Sequence, residues 1–396
     1  KKRTLLDTWR MKSEDIATAR LVMATAPTAH ATHANRKVAA RRAGQPTPYL
    51  FPIVPSHRDQ DSQAARESSG TLESPAPTAG IARLAASSPL GAAKRGTEYF
   101  LLPVKSILNR CESERVPFGW TVNPYRGCEF GCLYCYARYT HEYMNLDGGD
   151  FERKIYVKQH AGWLAGRDLA ETDVAGEHIA IGTATDPYQP AEGEFRNTRA
   201  ILERMAQREG LSVSITTKSD RVVNDIDILR EIHARSTLFV NLSVTTVRPR
   251  LARILEPRAP RPDLRLAAVR KLSDAGLSTG VLAMPVLPGI TDSESDLDAL
   301  ARAAAEAGAQ WFATSAVFLM PSAQKEFFPF LDKRWPKLAR RYREWYAKNA
   351  YAPEEYRQKL SARAAALRKK YGLGSRPDRA WVNSSERQLP LELLKA

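Results

Sequence analysis

Three of the four cysteines stand within eight residues: Cys128, Cys132 and Cys135, in the segment NPYRGCEFGCLYCYAR at 123–138. Thiolates in this C-x3-C-x2-C spacing suit an iron–sulfur cluster or zinc rather than a disulfide framework. Three thiolates can hold three corners of a four-iron cube and leave the fourth iron open to an exogenous ligand. Zinc would want a fourth protein ligand, for which His141 is the nearest candidate. Gly127 and Gly131 let the backbone wrap closely, since glycine accepts positive φ without strain. Cys111 stands apart and reads as a buried apolar cysteine. So few cysteines, so grouped, suit a reducing and therefore cytoplasmic compartment.

The cysteine loop directly follows a strand candidate, Trp120–Asn123. Five more follow it: Ile179–Thr183, Leu211–Thr216, Leu238–Val244, Ser278–Val286 and Trp311–Ala316. Each is apolar or β-branched, as strands buried on both faces are. Helical patterns fall between them at Tyr134–Met144, Phe195–Arg208, Val222–Ala234, Pro262–Ala275 and Ser293–Ala307. Six β/α units in a row predict an α/β fold on a parallel sheet, wound as a barrel, a partial barrel or an open doubly wound sheet. Chemistry then belongs at the carboxyl ends of the strands. Thr185 and Asp186 follow the second strand there, Lys218 the third, and Ser243 lies late in the fourth. Asn241, two residues before Ser243, faces the same side of its strand.

The 396 residues carry a formal net charge of +15, which favours anionic partners such as nucleic acid. Arg248, Arg250, Arg253, Arg258 and Arg261 punctuate a proline-rich loop after the fourth strand, where they can meet phosphates or simply be solvated. No stretch approaches the roughly 18 consecutive apolar residues of a membrane span, and no secretory signal is expected. Residues 1–92 read as a disordered, low-complexity extension with a short helix near 13–24. The α/β domain is expected over 93–324 and a basic helical extension over 325–396. Within the latter, residues 331–372 hold 13 Lys or Arg and four acids. Trp335, Leu338, Tyr342, Trp345 and Tyr346 form an aromatic stripe at helical spacing, expected to pack on the barrel and cap its open end, with Arg340, Arg341 and Arg343 outside it.

C-x3-C-x-aromatic-C after a first strand resembles the motif of radical S-adenosylmethionine (SAM) enzymes, with Tyr134 in the aromatic place. The resemblance implies a [4Fe–4S] cluster on Cys128, Cys132 and Cys135, and SAM chelated by the open iron. It also implies one-electron cleavage of SAM to a 5′-deoxyadenosyl radical, and an electron donor such as flavodoxin or ferredoxin. NPYRGC, TDPYQPAE at 185–192, LEPRAPRP at 255–262 and PVLPGITD at 285–292 are similar to the spore photoproduct lyase-like, or DNA repair photolyase-like, branch. This second resemblance covers roughly residues 96–320 and implies a partial (β/α)6 barrel of the TIM type. It also implies lyase or repair chemistry on nucleic acid, and SAM contacts from Tyr134, Thr185, Asp186, Lys218 and Ser243, with Asn241 beside them. One departure stands out: Thr183 occupies the place where photoproduct lyases carry a hydrogen-donating cysteine. The rival to an enzyme is a non-catalytic zinc or iron–sulfur nucleic-acid-binding protein.

Overall fold

All six predicted strands form in the computed structural model, which describes residues 79–94, 96–113 and 116–377. In chain order the strands are β1 (Leu90–Lys94), β2 (Thr97–Leu102), β3 (Leu108–Arg110), β4 (Trp120–Val122), β5 (Tyr125–Arg126), β6 (Lys154–Lys158), β7 (His178–Ile181), β8 (Ser212–Thr217), β9 (Thr237–Ser243), β10 (Thr279–Val286) and β11 (Phe312–Ala316). The large sheet runs β11-β10-β9-β8-β7-β4-β3. Its first six members are parallel, and β3 closes the edge antiparallel to β4. This is a partial (β/α)6 barrel. Val122 pairs with Ile181, Ile181 with Ile215, and Ile215 with Val240. These side chains are almost fully buried, which is why the strands are apolar throughout.

Twelve α-helices surround the sheets among the described residues: α1 (Gly80–Ala86), α2 (Tyr139–Glu142), α3 (Ala161–Glu171), α4 (Glu192–Phe195), α5 (Asn197–Ala206), α6 (Ile226–Arg235), α7 (Pro249–Leu255), α8 (Pro262–Asp274), α9 (Glu294–Glu306), α10 (Pro321–Arg334), α11 (Pro336–Trp345) and α12 (Glu354–Tyr371). Three predicted helices are shorter than expected, among them Val222–Ala234, where residues 220–225 form a 3-10 turn and the α-helix starts at Ile226. The Tyr134–Met144 pattern yields only a 3-10 turn at Tyr136–Arg138 and the single turn of α2, because Cys135 is extended (φ −63°, ψ 114°). The Phe195–Arg208 helix is broken by Arg196, which sits in the left-handed region at φ 51°.

A second sheet, β1-β2-β6-β5, was not foreseen. Its strands are short, and β1 is mostly exposed, so their alternation is weak. With α1 it lies across the expected boundary at residue 92, and Ala85 of α1 packs with Leu102, Met144 and Tyr156. The disorder expected of 1–92 therefore does not extend over α1 and β1. The helix expected near 13–24 lies outside the described residues.

The helical C-terminal segment packs on the domain rather than standing beside it. Tyr342 donates to the Pro288 carbonyl (3.0 Å) and Tyr346 to that of Val317 (2.9 Å), in the loops after β10 and β11. Gly374, beyond α12, forms a parallel bridge with Trp311, and Lys370 within α12 pairs with Asp298 of α9. Arg340, Arg341 and Arg343 face outward. Among the described residues, no helix is long and apolar enough to cross a membrane.

Candidate active site

The cysteine loop leaves β4 at its carboxyl end and is held from three sides. Gly127 (φ 85°) starts it, and a Cβ there would fall 2.8 Å from the Phe151 carbonyl oxygen and 2.9 Å from that of Lys154, so only glycine fits. The Cys128 N–H then donates to the Phe151 carbonyl at 3.0 Å. From the β7 side, Gln189 donates to the Gly127 carbonyl (3.1 Å) and accepts from the Glu129 N–H (3.0 Å), while Thr185 donates to the same Gly127 carbonyl (2.6 Å). From the β9 side, Leu133 N–H donates to the Leu255 carbonyl and Arg258 N–H to that of Phe130. The buried Arg138 guanidinium pairs with Glu152 at 2.7 Å and reaches the Cys132 carbonyl.

So held, Cys128, Cys132 and Cys135 line one cavity of about 890 Å³, mouth included, at the carboxyl ends of the parallel strands. Tyr134, Tyr136, Thr183, Thr185, Asp186, Lys218, Ser243 and Phe318 line it as well. Asp186 joins two strand ends: it accepts from Thr217 Oγ1 (2.6 Å) and from the N–H groups of Lys218 (2.7 Å) and Tyr188 (3.0 Å). The Lys218 ammonium lies 5.9 Å from the centre of the Tyr134 ring. Burial opposes its charge, but Cys132 and Glu256 outweigh burial and hold its pKa above the ordinary value.

Beneath Tyr134 lies a charged pair that sequence reasoning missed. Glu256 and Arg265 are both fully buried and meet at 2.5 Å. Glu256 also accepts from Thr245 (2.6 Å) and from the Tyr134 hydroxyl, and Arg265 donates to the carbonyls of Ser243 (3.1 Å) and Pro260 (2.7 Å). Burial would raise the Glu256 pKa, but Arg265 and then Lys218 hold it down at about 2. The pair fixes the aromatic residue that precedes Cys135.

Asn241 does not reach the cavity. It faces the barrel interior one layer below Ser243, accepts from the Trp311 indole (3.1 Å) and donates to the Ile215 carbonyl (3.2 Å). Gly280 makes room for that indole, which a Cβ would overlap at 2.3 Å. Cys111 packs with Val116, Phe118 and Ala180. It follows Arg110, which pairs with the first residue of β4, so it lies toward the amino ends of the strands, away from the cavity.

The donor set fits a cluster better than one zinc ion. Three thiols on one loop suit three irons of a cube, whereas a single zinc ion would want a fourth protein ligand. His141 is not a fourth ligand. It is fully buried against Phe151 and Tyr156 with Nε2 on the Lys154 carbonyl, and burial lowers its pKa to about 4. Burial also pushes the three thiols up, Cys132 to about 12 against the pull of Lys218, so bound metal is what would make them thiolates.

Residues 122–301, from the end of β4 through most of α9, match the model of the radical SAM superfamily. The chain belongs to this superfamily. It is 37% identical over 280 residues to an uncharacterized protein of Mycobacterium tuberculosis (strain ATCC 25618 / H37Rv), spanning 70% of this chain and 82% of the relative. It is 30% identical over 175 residues to one of Methanocaldococcus jannaschii, spanning 44% and 63%. Among solved structures it resembles in fold a spore photoproduct lyase mutant with bound AdoMet and dinucleoside spore photoproduct. The TM-score is 0.53 at 17% identity, over 69% of this chain and 79% of that one. As a radical SAM protein the chain uses a [4Fe–4S] cluster and SAM, which together supply one-electron cleavage of SAM to a carbon radical.

Proposed function

We propose that this chain abstracts hydrogen from a nucleic-acid component held in the cavity over Tyr136 and Phe318, with Cys128, Cys132 and Cys135 holding the cluster and Lys218 the SAM carboxylate. The observation that carries the reading is the shared cavity: the only three thiols at the sheet's carboxyl edge face the same space as a lysine and strand-end hydroxyls. Thr185 and Asp186 serve chiefly to hold the Cys128 loop and the start of the Lys218 segment, and Ser243 leaves its hydroxyl at the cavity wall. The net charge of +15 supports a polyanionic substrate, as does the dinucleoside bound by the structurally similar lyase. The reductant would be flavodoxin or ferredoxin. Deuterium placed on the sugar or base of candidate oligonucleotides should appear in 5′-deoxyadenosine; a full panel without transfer would exclude nucleic acid as substrate.

Lys218→Met should weaken SAM binding roughly tenfold to a hundredfold, the scale of a hydrogen bond to a charged group at about 1.5–3 kcal/mol. Titration of SAM into the cluster-loaded variant measures it, and an unchanged affinity would reduce Lys218 to a bystander.

The reaction differs from thymine photoproduct repair. Thr183 lines the cavity, receives Asn123 Nδ2 on its hydroxyl (3.0 Å), and offers an O–H bond far stronger than a thiol S–H. Cys111 is packed with Val116, Phe118 and Ala180 and does not line the cavity. Wild-type protein should therefore repair the dinucleoside lesion poorly, and Thr183→Cys should gain. Clean repair by wild type at roughly 1 per second or faster, the usual turnover scale, would contradict this.

A further inference from the structure

A second depression, of about 1000 Å³, lies behind the cysteine loop. Arg221, Arg253, Arg258 and Arg261 line it, with Asp220 the one acid of the lining. All four arginines are exposed. Among the described residues Arg221, Arg253 and Arg258 form no ion pair, and only Arg261 meets a carboxylate, that of Asp263 at 2.6 Å. Leu264, 42% exposed, also lines the depression and is one of few large apolar side chains left in water among the described residues. The depression shares one residue with the main cavity, Phe130, which lies in the loop between Cys128 and Cys132.

We propose that this depression is where an acidic one-electron carrier protein docks to reduce the cluster. The inference rests on the cluster assignment above and names the surface that serves it. SAM and substrate fill the main cavity, so an electron needs another approach. Phe130 is 3% exposed and is the wall between the depression and the cysteine loop. A carrier seated here stands one side chain from the thiol-bearing loop, without entering the cavity where the radical forms. One electron leaves the reduced carrier, which is oxidised by that one electron, and enters the cluster.

Unpaired arginines around an apolar spot fit an acidic protein face with an apolar tip, since such charges steer encounter and speed association. The lining contains none of the residues that line the main cavity except Phe130, so a substrate strand held here would not present its reacting carbon to the radical. This favours a carrier over nucleic acid.

The test mixes reduced flavodoxin, an acidic carrier, with the anaerobically reconstituted full chain and follows cluster bleaching. Arg221→Glu/Arg261→Glu reverses two exposed charges that do not brace the loop; Leu264→Glu is a second, independent variant of the lining. Photoreduced deazaflavin, a small reductant, serves as the control. We expect the flavodoxin rate to fall at least tenfold in the double variant and its salt dependence to flatten, with deazaflavin rates and the cluster absorbance unchanged. Leu264→Glu should slow the flavodoxin reaction alone. Equal flavodoxin rates in wild type and both variants would overturn the proposal. So would loss of single-stranded oligonucleotide binding with flavodoxin reduction intact, which would make the depression a nucleic-acid surface. Absence of a cluster in wild type would instead defeat the underlying assignment, and the absorbance before mixing separates the two failures.

Discussion

Alanine at any one of positions 128, 132 or 135 will abolish cluster loading and SAM cleavage, while Cys111→Ala will leave both intact. Each of the three thiols faces the same cavity on a loop held by Gln189, Thr185, Leu255 and Arg138. His141 is engaged elsewhere and does not stand in for a lost thiolate. Cys111 belongs to a small apolar cluster, so its truncation costs packing only. Iron and sulfide analysis with anaerobic absorbance decides the matter. Equal cluster loss in Cys111→Ala would mean four protein ligands and no open iron.

The second large effect falls on stability. Arg265→Met will leave the Glu256 carboxylate buried without its partner, at a cost of about 3–5 kcal/mol. Denaturant unfolding of the apo chain measures it. Glu256→Gln/Arg265→Met should recover much of the loss, because no uncompensated charge remains. The pair's contribution also depends on pH. Glu256 is held at about 2 against an ordinary 4.5, so its stabilisation is fully present above about 4.5 and is lost as pH falls toward 2. A single Arg265→Met change that moves the unfolding midpoint by less than the double variant would contradict this account.

The parallel sheet was legible because its strands are buried on both faces and read as unbroken apolar runs. The cysteine loop was legible because thiol spacing leaves little freedom. Strand-end logic put Lys218, Thr185, Asp186 and Ser243 on the face where they line the cavity, because their positions follow from where parallel strands stop. It failed at Asn241, since a face tells which way a side chain points but not how deep its layer lies. Gln189 and Glu256 were missed although both stand in quoted segments, TDPYQPAE and LEPRAPRP. Proline there signals a turn, and a turn says nothing of which polar side chain folds back onto a neighbouring loop. The arginine stretch after the fourth strand is not one loop, since Arg250 and Arg253 lie in α7; Arg248 serves Ile290 and Asp296, while Arg253, Arg258 and Arg261 are exposed and line the depression behind the cysteines. The small sheet escaped because its strands are only two to six residues long and none alternates cleanly: β1 is mostly exposed and β6 is buried on both faces.

The central claim is an open iron on a three-cysteine cluster that SAM can occupy. Electron paramagnetic resonance of the reduced, reconstituted chain, recorded with and without SAM, tests it most directly. The account predicts about four irons per chain, from the cube the three thiols would hold, and a cluster signal that changes when SAM is added. One zinc per chain, or a cluster signal indifferent to saturating SAM, would contradict it.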